Sequence, residues 1–345
     1  MSGTGHRVSL LKLTSRPTAS IAVVITTRLY RDGALVEKNF PVADISDYRV
    51  ANNCAVWADF VSPDAADLAT IEEELDLHPL AIEDAVHDHQ RPKLDQYDSH
   101  FFLAAYAVAL DVETGQLEKH EIKAFITKGA LVTVHNDSFD MAKVLERWDN
   151  NVELSKHGVA FLLWGLLDVL VDGHFDVVQT LDSQIDEIED ALFDDRPRDK
   201  EVGRRSYELR KSLVMLRRVV LPMREVVNSL IRRDIQALDN GMSPYFQDIY
   251  DHVLRVTEWN ESLRDLVSTI VETNIGLQGN RMNLIMKKVT SWAAIIAVPT
   301  AITGFFGQNL QFPGFGTGWG VLLSSALILV TGGALYLSFK KRDWL

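Results

Sequence analysis

The sequence predicts an α/β domain, then long helices, then a C-terminal hairpin of two transmembrane helices. Three observations predict it. Residues 21–135 hold short β-branched and aromatic runs bounded by turn residues, the pattern of strands. From about residue 138 onward, apolar residues recur at three- and four-residue spacing, the pattern of helices. Near the end, 289–306 and 319–339 contain no charged residue, and each is close to the roughly 20 residues that cross a bilayer as a helix.

Residues 1–20, "MSGTGHRVSLLKLTSRPTAS", have no apolar stretch long enough for a signal peptide and read as a disordered lead-in. The strand runs are "IAVVITTRLY", "CAVWADFV", "FFLAAYAVAL", "EIKAFITK" and "ALVTVHND", with one helical region expected over 64–89. Residues 136–240 read as antiparallel helices. Val178, Leu181, Ile185, Ile188 and Leu192 keep one apolar face, and Leu209, Leu213, Leu216, Val220, Met223, Val227 and Leu230 keep the next. "DDRPRDK" supplies the turn between them, and "DNGMSP" starts a third helix.

That third helix carries a strict seven-residue repeat: Phe246, Ile249, Val253, Val256, Asn260, Leu263, Val267, Ile270, Asn274 and Leu277. Asn260 and Asn274 lie on the seam, where a polar residue sets register or oligomer state. Nothing stronger than Gly276 and Gly279 separates the seam from the first apolar span, so one helix is expected over 244–306, roughly 90 Å long. A rod of that length predicts the central stalk of an oligomer.

Charge orients the hairpin. Net charge is −13, yet 281–345 holds six basic residues against one acid, Asp343, leaving −18 on residues 1–280. Arg281, Lys287 and Lys288 precede the first span, and Lys340, Lys341 and Arg342 follow the second. Positive flanks stay in the cytoplasm. The acidic body and the basic tail 340–345 are therefore expected inside, and the loop 307–318 outside. An acidic body suits cations and argues against nucleic acid as a partner. One cysteine, Cys54, excludes an intramolecular disulfide and a cysteine zinc cluster.

In the first span Ala293, Ala297, Thr300, Gly304 and Gly307 share a face. Small residues there serve either close helix packing or a narrow water-filled path between several copies. Pro299 interrupts the backbone ladder, which membrane helices tolerate when neighbours compensate. His78, His87 and His89 lie close together, but their spacing matches no closed zinc ligand set, and solvated helix-face histidines are the simpler reading. No nucleophile elbow, phosphate loop or dinucleotide fingerprint is present, so no enzymatic activity and no cofactor are expected.

A hairpin of two spans whose outer loop begins Gly307-Gln308-Asn309, with Phe306 before it, resembles the CorA superfamily of divalent-cation channels. The likeness covers nearly the whole chain: "HPLAIEDAVHDHQRPK", "PMREVVNSLIRRD", "YFQDIYDH", "NLIMKKVT", "PTAITGFFGQN" and "KKRDWL" stand in the family's order. Two departures matter. Most members have Tyr-Gly-Met-Asn where this chain has Phe-Gly-Gln-Asn, and their outer loop often carries an acid that is missing here. The zinc-transporting ZntB branch also varies the middle position, so the resemblance leaves both Mg²⁺ and Zn²⁺ open. A membrane-tethered cytosolic scaffold or sensor is the reading from another class.

The resemblance implies a homopentameric funnel in the inner cell membrane. Five first spans would surround a pore for passive Mg²⁺ entry, with Co²⁺ and Ni²⁺ as substitutes. It implies a filter of Gly307, Gln308 and Asn309. A ring of neutral Asn309 amides would select a hydrated ion that sheds its waters reluctantly; on spacing alone, Asn309 is a helix C-cap. It places Asn283 and Thr300 as further neutral oxygens in the pore and Met286 and Val289 as a hydrophobic constriction. It also places a regulatory Mg²⁺ between Asp84 of one subunit and Asp248 of the next, with Glu83 and Asp251 as the nearest alternative ligands.

Overall fold

In the computed structural model, residues 24–50, 53–87, 90–111, 114–193, 199–232, 240–308, 311 and 314–345 are described. The lead-in 1–20, His89 and Asn309 lie outside them. The chain divides into two compact units, one of residues 1–180 with 214–260 and one of 181–213 with 261–345.

The first unit is built on a seven-stranded sheet. Its strands are β1 (Val24–Arg31), β2 (Ala34–Lys38), β3 (Cys54–Val61), β4 (Lys93–Gln96), β5 (Phe101–Asp111), β6 (Gln116–Ile126) and β7 (Ala130–His135). They lie in the order β2-β1-β3-β7-β6-β5-β4. Only β3 and β7 pair in parallel, with Val56 opposite Ala130 and Val61 opposite His135; every other pairing is antiparallel. A parallel pair needs a crossover, and helices α2 (Ala65–Leu75) and α3 (Pro79–Val86), followed by β4 to β6, supply it.

Alternation along the strands separates two cores. On one face Val56, Ala58, Phe60, Val132 and Val134 pack with α1 (Ile45–Val50), α2 and α3 through Ile45, Leu68, Ile71 and Ile82. On the other, Trp57, Leu103, Ile122 and Leu131 pack with α4 (Ala142–Asn150) and the start of α5 (Val159–Leu192) through Trp148, Phe161 and Leu166.

Three sequence expectations change here. The helical region 64–89 is two helices, because Asp76 adopts a left-handed conformation (φ 53°) and ends α2. Asp64 opens α2 with a capping box, and His78 caps α3 by accepting from the Leu80 amide at 3.2 Å. The edge strands β2 and β4 were not expected. Asp32 and Gly33, at φ 49° and 79°, form the positive-φ turn that a two-residue hairpin needs, which folds "ALVEK" back onto β1.

Within the parallel pair lies a buried polar chain. Trp57 Nε1 donates to Thr133 Oγ1 at 3.0 Å, Thr133 Oγ1 donates to Asp59, and His135 Nε2 is 3.1 Å from the other Asp59 oxygen. Burial pulls the His135 imidazolium down, but the hydrogen bond to Asp59 and its charge outweigh burial and raise the pKa above 6.5. The stability this pair contributes is therefore complete below about pH 6.5, the unfolded value, and is lost as pH rises through the raised folded value. The Tm advantage of wild type over His135→Gln is expected to shrink as pH rises above about 6.5. An advantage that grows with rising pH would contradict the charged pair.

α6 (Asp199–Arg232) and α7 (Ser243–Phe306) complete the long helices, and α8 (Gly318–Lys341) follows. The heptad seam of α7 is buried from Phe246 through Asn274. In the first unit its partners belong to its own chain: Phe246, Ile249 and Val253 share one core with Leu163, Leu167 and Leu170 of α5 and Met223, Val227 and Leu230 of α6. Asn260 sits in the seam with both amide atoms buried and without a hydrogen-bond partner among the described residues.

Candidate functional site

The C-terminal part of α7 is apolar but not buried. Its most apolar window has mean hydropathy 1.6, that of α8 has 1.9, and only 6% of each window is buried. The core helix of a soluble protein with that composition would be mostly buried, so these faces require lipid or other copies as neighbours. Pro299 removes the bond to the Ile295 carbonyl, yet α7 continues through it to Phe306.

Asn283, Met286, Val289, Ala293, Ala297, Thr300 and Gly304 are all exposed. At about 100° per residue they occupy roughly a third of the helix circumference. Ala294, Ile295, Val298 and Ile302, on another side, are half-buried. Thr300 Oγ1 donates to the Ile296 carbonyl at 2.9 Å, which leaves its oxygen lone pairs free to accept on the exposed face.

Gly307 follows the helix, its amide bonded to the Thr303 carbonyl at 2.8 Å. Its φ is not in the left-handed region. A Cβ there would meet the Thr303 oxygen at 3.0 Å, so it is close approach that suits glycine. The left-handed turns fall later, at Gly314 (φ 96°) and Gly316 (φ 73°). Gln308 is exposed. At the other end of the span, Trp344 of the tail stacks on Phe339 with centroids 5.7 Å apart and lines a cavity of about 570 Å³ with Asn283, Met286 and Lys287.

The predicted regulatory carboxylates sit in the first unit. Asp84, on α3, is held by Lys93 Nζ at 2.6 Å and by Gln90 Nε2 at 3.3 Å. Lys93 also reaches Asp95 at 2.7 Å. Asp248, on α7, has a 66% exposed side chain and lies 4.0 Å from His252. Glu83 spends its backbone oxygen on His87, and Asp251 accepts from Gln247 Nε2 at 3.1 Å. Near Asp248 is Asp168 of α5, which pairs with Arg147. Burial raises the Asp168 pKa to about 6, more than the Arg147 charge lowers it, and Asp172 and Asp248 push it further up.

Among the described residues no three His, Cys, Asp or Glu side chains are placed to hold a metal together. His78 Nδ1 accepts from the Leu80 amide, and His87 Nδ1 lies 2.8 Å from the Glu83 carbonyl oxygen. Sequence reasoning missed Lys93, Arg147, Asp168 and Trp344. Lys93 and Trp344 stood inside recognised segments, "HPLAIEDAVHDHQRPK" and "KKRDWL"; Arg147 and Asp168 had no local signal.

The fold and this face define a class: a membrane protein with a large α/β domain, a helix running from that domain into the first of two spans, and an uncharged loop between the spans. Residues 52–341 match the family model described as CorA-like Mg²⁺ transporter protein, and the chain belongs to that family. It is 27% identical to the cobalt/magnesium transport protein CorA of Thermotoga maritima, over 93% of this chain and 95% of that one. It is 34% identical to YfjQ of Bacillus subtilis over 80% and 84% of the two chains. The solved structure of the CorA magnesium transporter of Methanocaldococcus jannaschii superposes with a TM-score of 0.75 at 22% identity, covering 94% of this chain and all of that one. That likeness carries the same fold.

Proposed function

We propose that this protein is a homopentameric channel for passive Mg²⁺ entry, with Co²⁺ and Ni²⁺ as substitutes. It lies in the inner cell membrane with both termini in the cytoplasm, as its basic flanks favour. The observation that carries the reading is the face of α7: seven uncharged positions, from Asn283 to Gly304, exposed along one side of an apolar span. Five such faces enclose a path that offers neutral oxygens and no fixed charge. Gly307, Gln308 and Asn309 form its outer mouth, where neutral amides accept from the waters of a hydrated ion. Carboxylates there would hold Mg²⁺ tightly and slow its release. The inside-negative potential drives entry, worth roughly 4.6 kcal/mol for a divalent ion per 100 mV.

Met286 and Val289, 56% and 59% exposed on the single chain, form the constriction that closes by dewetting. Val289→Gly is expected to leak divalent cations at internal Mg²⁺ that silences wild type. A variant that stays shut there places the gate elsewhere. Cytosolic Mg²⁺ closes the channel by bridging Asp84 of one subunit and Asp248 of its neighbour, converting carboxylate repulsion into a clamp.

Gln308 in place of methionine favours a second reading, a Zn²⁺ transporter of the ZntB type. Flux into liposomes holding the purified protein, compared for Mg²⁺, Co²⁺ and Zn²⁺, tests both. Mg²⁺ flux that tolerates Gln308→Met supports the channel, and Zn²⁺ flux indifferent to excess Mg²⁺ supports the second reading. A tethered scaffold would conduct none of them and would keep its function with leucine at every pore-facing position.

A further inference from the structure

Asp84 does not wait as a bare carboxylate. One oxygen accepts from Gln90, and the other is 2.6 Å from the Lys93 ammonium. Lys93 opens β4 and Asp95 lies two residues on, so both point to the same side of the strand, and the ammonium sits 2.7 Å from Asp95 as well. The arrangement is held from below, with Lys93 Nζ 5.5 Å from the centre of the Phe102 ring, itself fully buried. The Lys93 and Asp84 side chains are 24% and 29% exposed, so this pair is more sheltered than a surface salt bridge. Asp248 is open by comparison.

We infer that Lys93 is a resident competitor for Asp84 that sets the cytosolic divalent-cation concentration at which the protein closes. The inference rests on the reading that Asp84 and Asp248 hold the regulatory ion. A hydrated divalent cation reaching Asp84 must take the oxygen that the ammonium holds, because two cations on one carboxylate oxygen repel. Asp95 makes the exchange feasible: the ammonium swings off Asp84 and keeps a partner, so no buried charge is stranded. Lys93 and Asp95 therefore act in opposite directions. Lys93 weakens the regulatory site, and Asp95 strengthens it by receiving Lys93.

The test is a Mg²⁺ titration of the full-length protein, reading protection of the α7 stalk from protease, with a Tm for each variant. Lys93→Gln is expected to lower the protection midpoint by roughly three- to fivefold, the scale of a partly exposed pair. Asp95→Asn is expected to raise it, and Lys93→Arg to stay close to wild type. Arg91→Gln removes a like charge two residues away and should shift the midpoint less than Lys93→Gln. If Lys93 were only a strut, Lys93→Gln would lower Tm and raise the midpoint, as Asp95→Asn does; that result overturns the inference. An Arg91→Gln shift equal to that of Lys93→Gln overturns it too, since bulk charge would then be the cause. The underlying reading fails separately: Mg²⁺ protection of Asp84→Ala with Asp248→Ala at the wild-type midpoint removes the site itself. If the double variant loses protection while Lys93→Gln leaves the midpoint unchanged, the site stands and the competitor does not.

Discussion

Asn309→Ala is expected to abolish Mg²⁺ flux while leaving the oligomer intact. In the proposed pentamer the substitution removes five neutral amides from the outer mouth of the path. A hydrated divalent ion then meets methyl groups at the mouth, with no acceptor for its waters and nothing to compensate their partial loss. The expected loss is at least about a hundredfold in flux, since a ring of strong acceptors is worth several kcal/mol to a partly desolvated ion. Size-exclusion of the purified variant at the wild-type position, with flux at background, is the supporting result. Near-normal flux would leave Asn309 as a helix cap and send the filter elsewhere.

The second large effect is on stability. Gly165 lies on α5 against the Trp148 indole, and a Cβ at 165 would fall 2.4 Å from both Trp148 Cδ1 and Nε1. Trp148 has little room to yield. It is 1% exposed, packs edge-on against Trp57 with centroids 5.1 Å apart, and donates from Nε1 to the Leu162 carbonyl at 3.1 Å. Gly165→Ala must therefore displace the ring, strain the core and break that bond, at a cost of about 3 kcal/mol. For a domain of this size that lowers Tm by roughly 6–12 °C. Trp148→Phe should restore much of the loss in the Gly165→Ala background, because a smaller ring leaves space for the methyl; residues in contact are not additive. A Gly165→Ala protein that melts with wild type would refute the close approach.

Much of the membrane part was legible because its signal is local. A charge-free run of bilayer length, basic flanks and a glycine-rich loop each declare themselves within a few residues, and α8 begins one residue from its expected start. The central strands were legible from their apolar composition, β3 with the limits expected. The edge strands were not. β2 is "ALVEK", largely exposed, and becomes a strand through pairing with β1 across the Asp32-Gly33 turn. β4 is "KLDQ", whose hydrogen bonds come from β5. Edge pairing supplies a conformation that such sequences do not prefer alone. The two helices inside 64–89 were fused in the sequence because the break, a left-handed Asp76, is a conformation aspartate reaches without a glycine or proline to mark it.

The sequence by itself determined which faces are apolar: the heptad seam of α7, the stripes of α5 and α6, the two uncharged spans and the small-residue face between Ala293 and Gly304. Periodicity does this because each residue's place around a helix follows from its number. Only the tertiary structure decided what meets those faces. It placed α5 and α6 of the same chain against the seam from Phe246 to Val253, and it left the face from Asn283 to Gly304 open. It also brought Lys93 to Asp84 and Arg147 to Asp168, pairs separated by 9 and 21 residues. The physical reason is that a hydrophobic pattern specifies burial without naming a partner, whereas a charge pair exists only when the fold brings two side chains within a few ångströms.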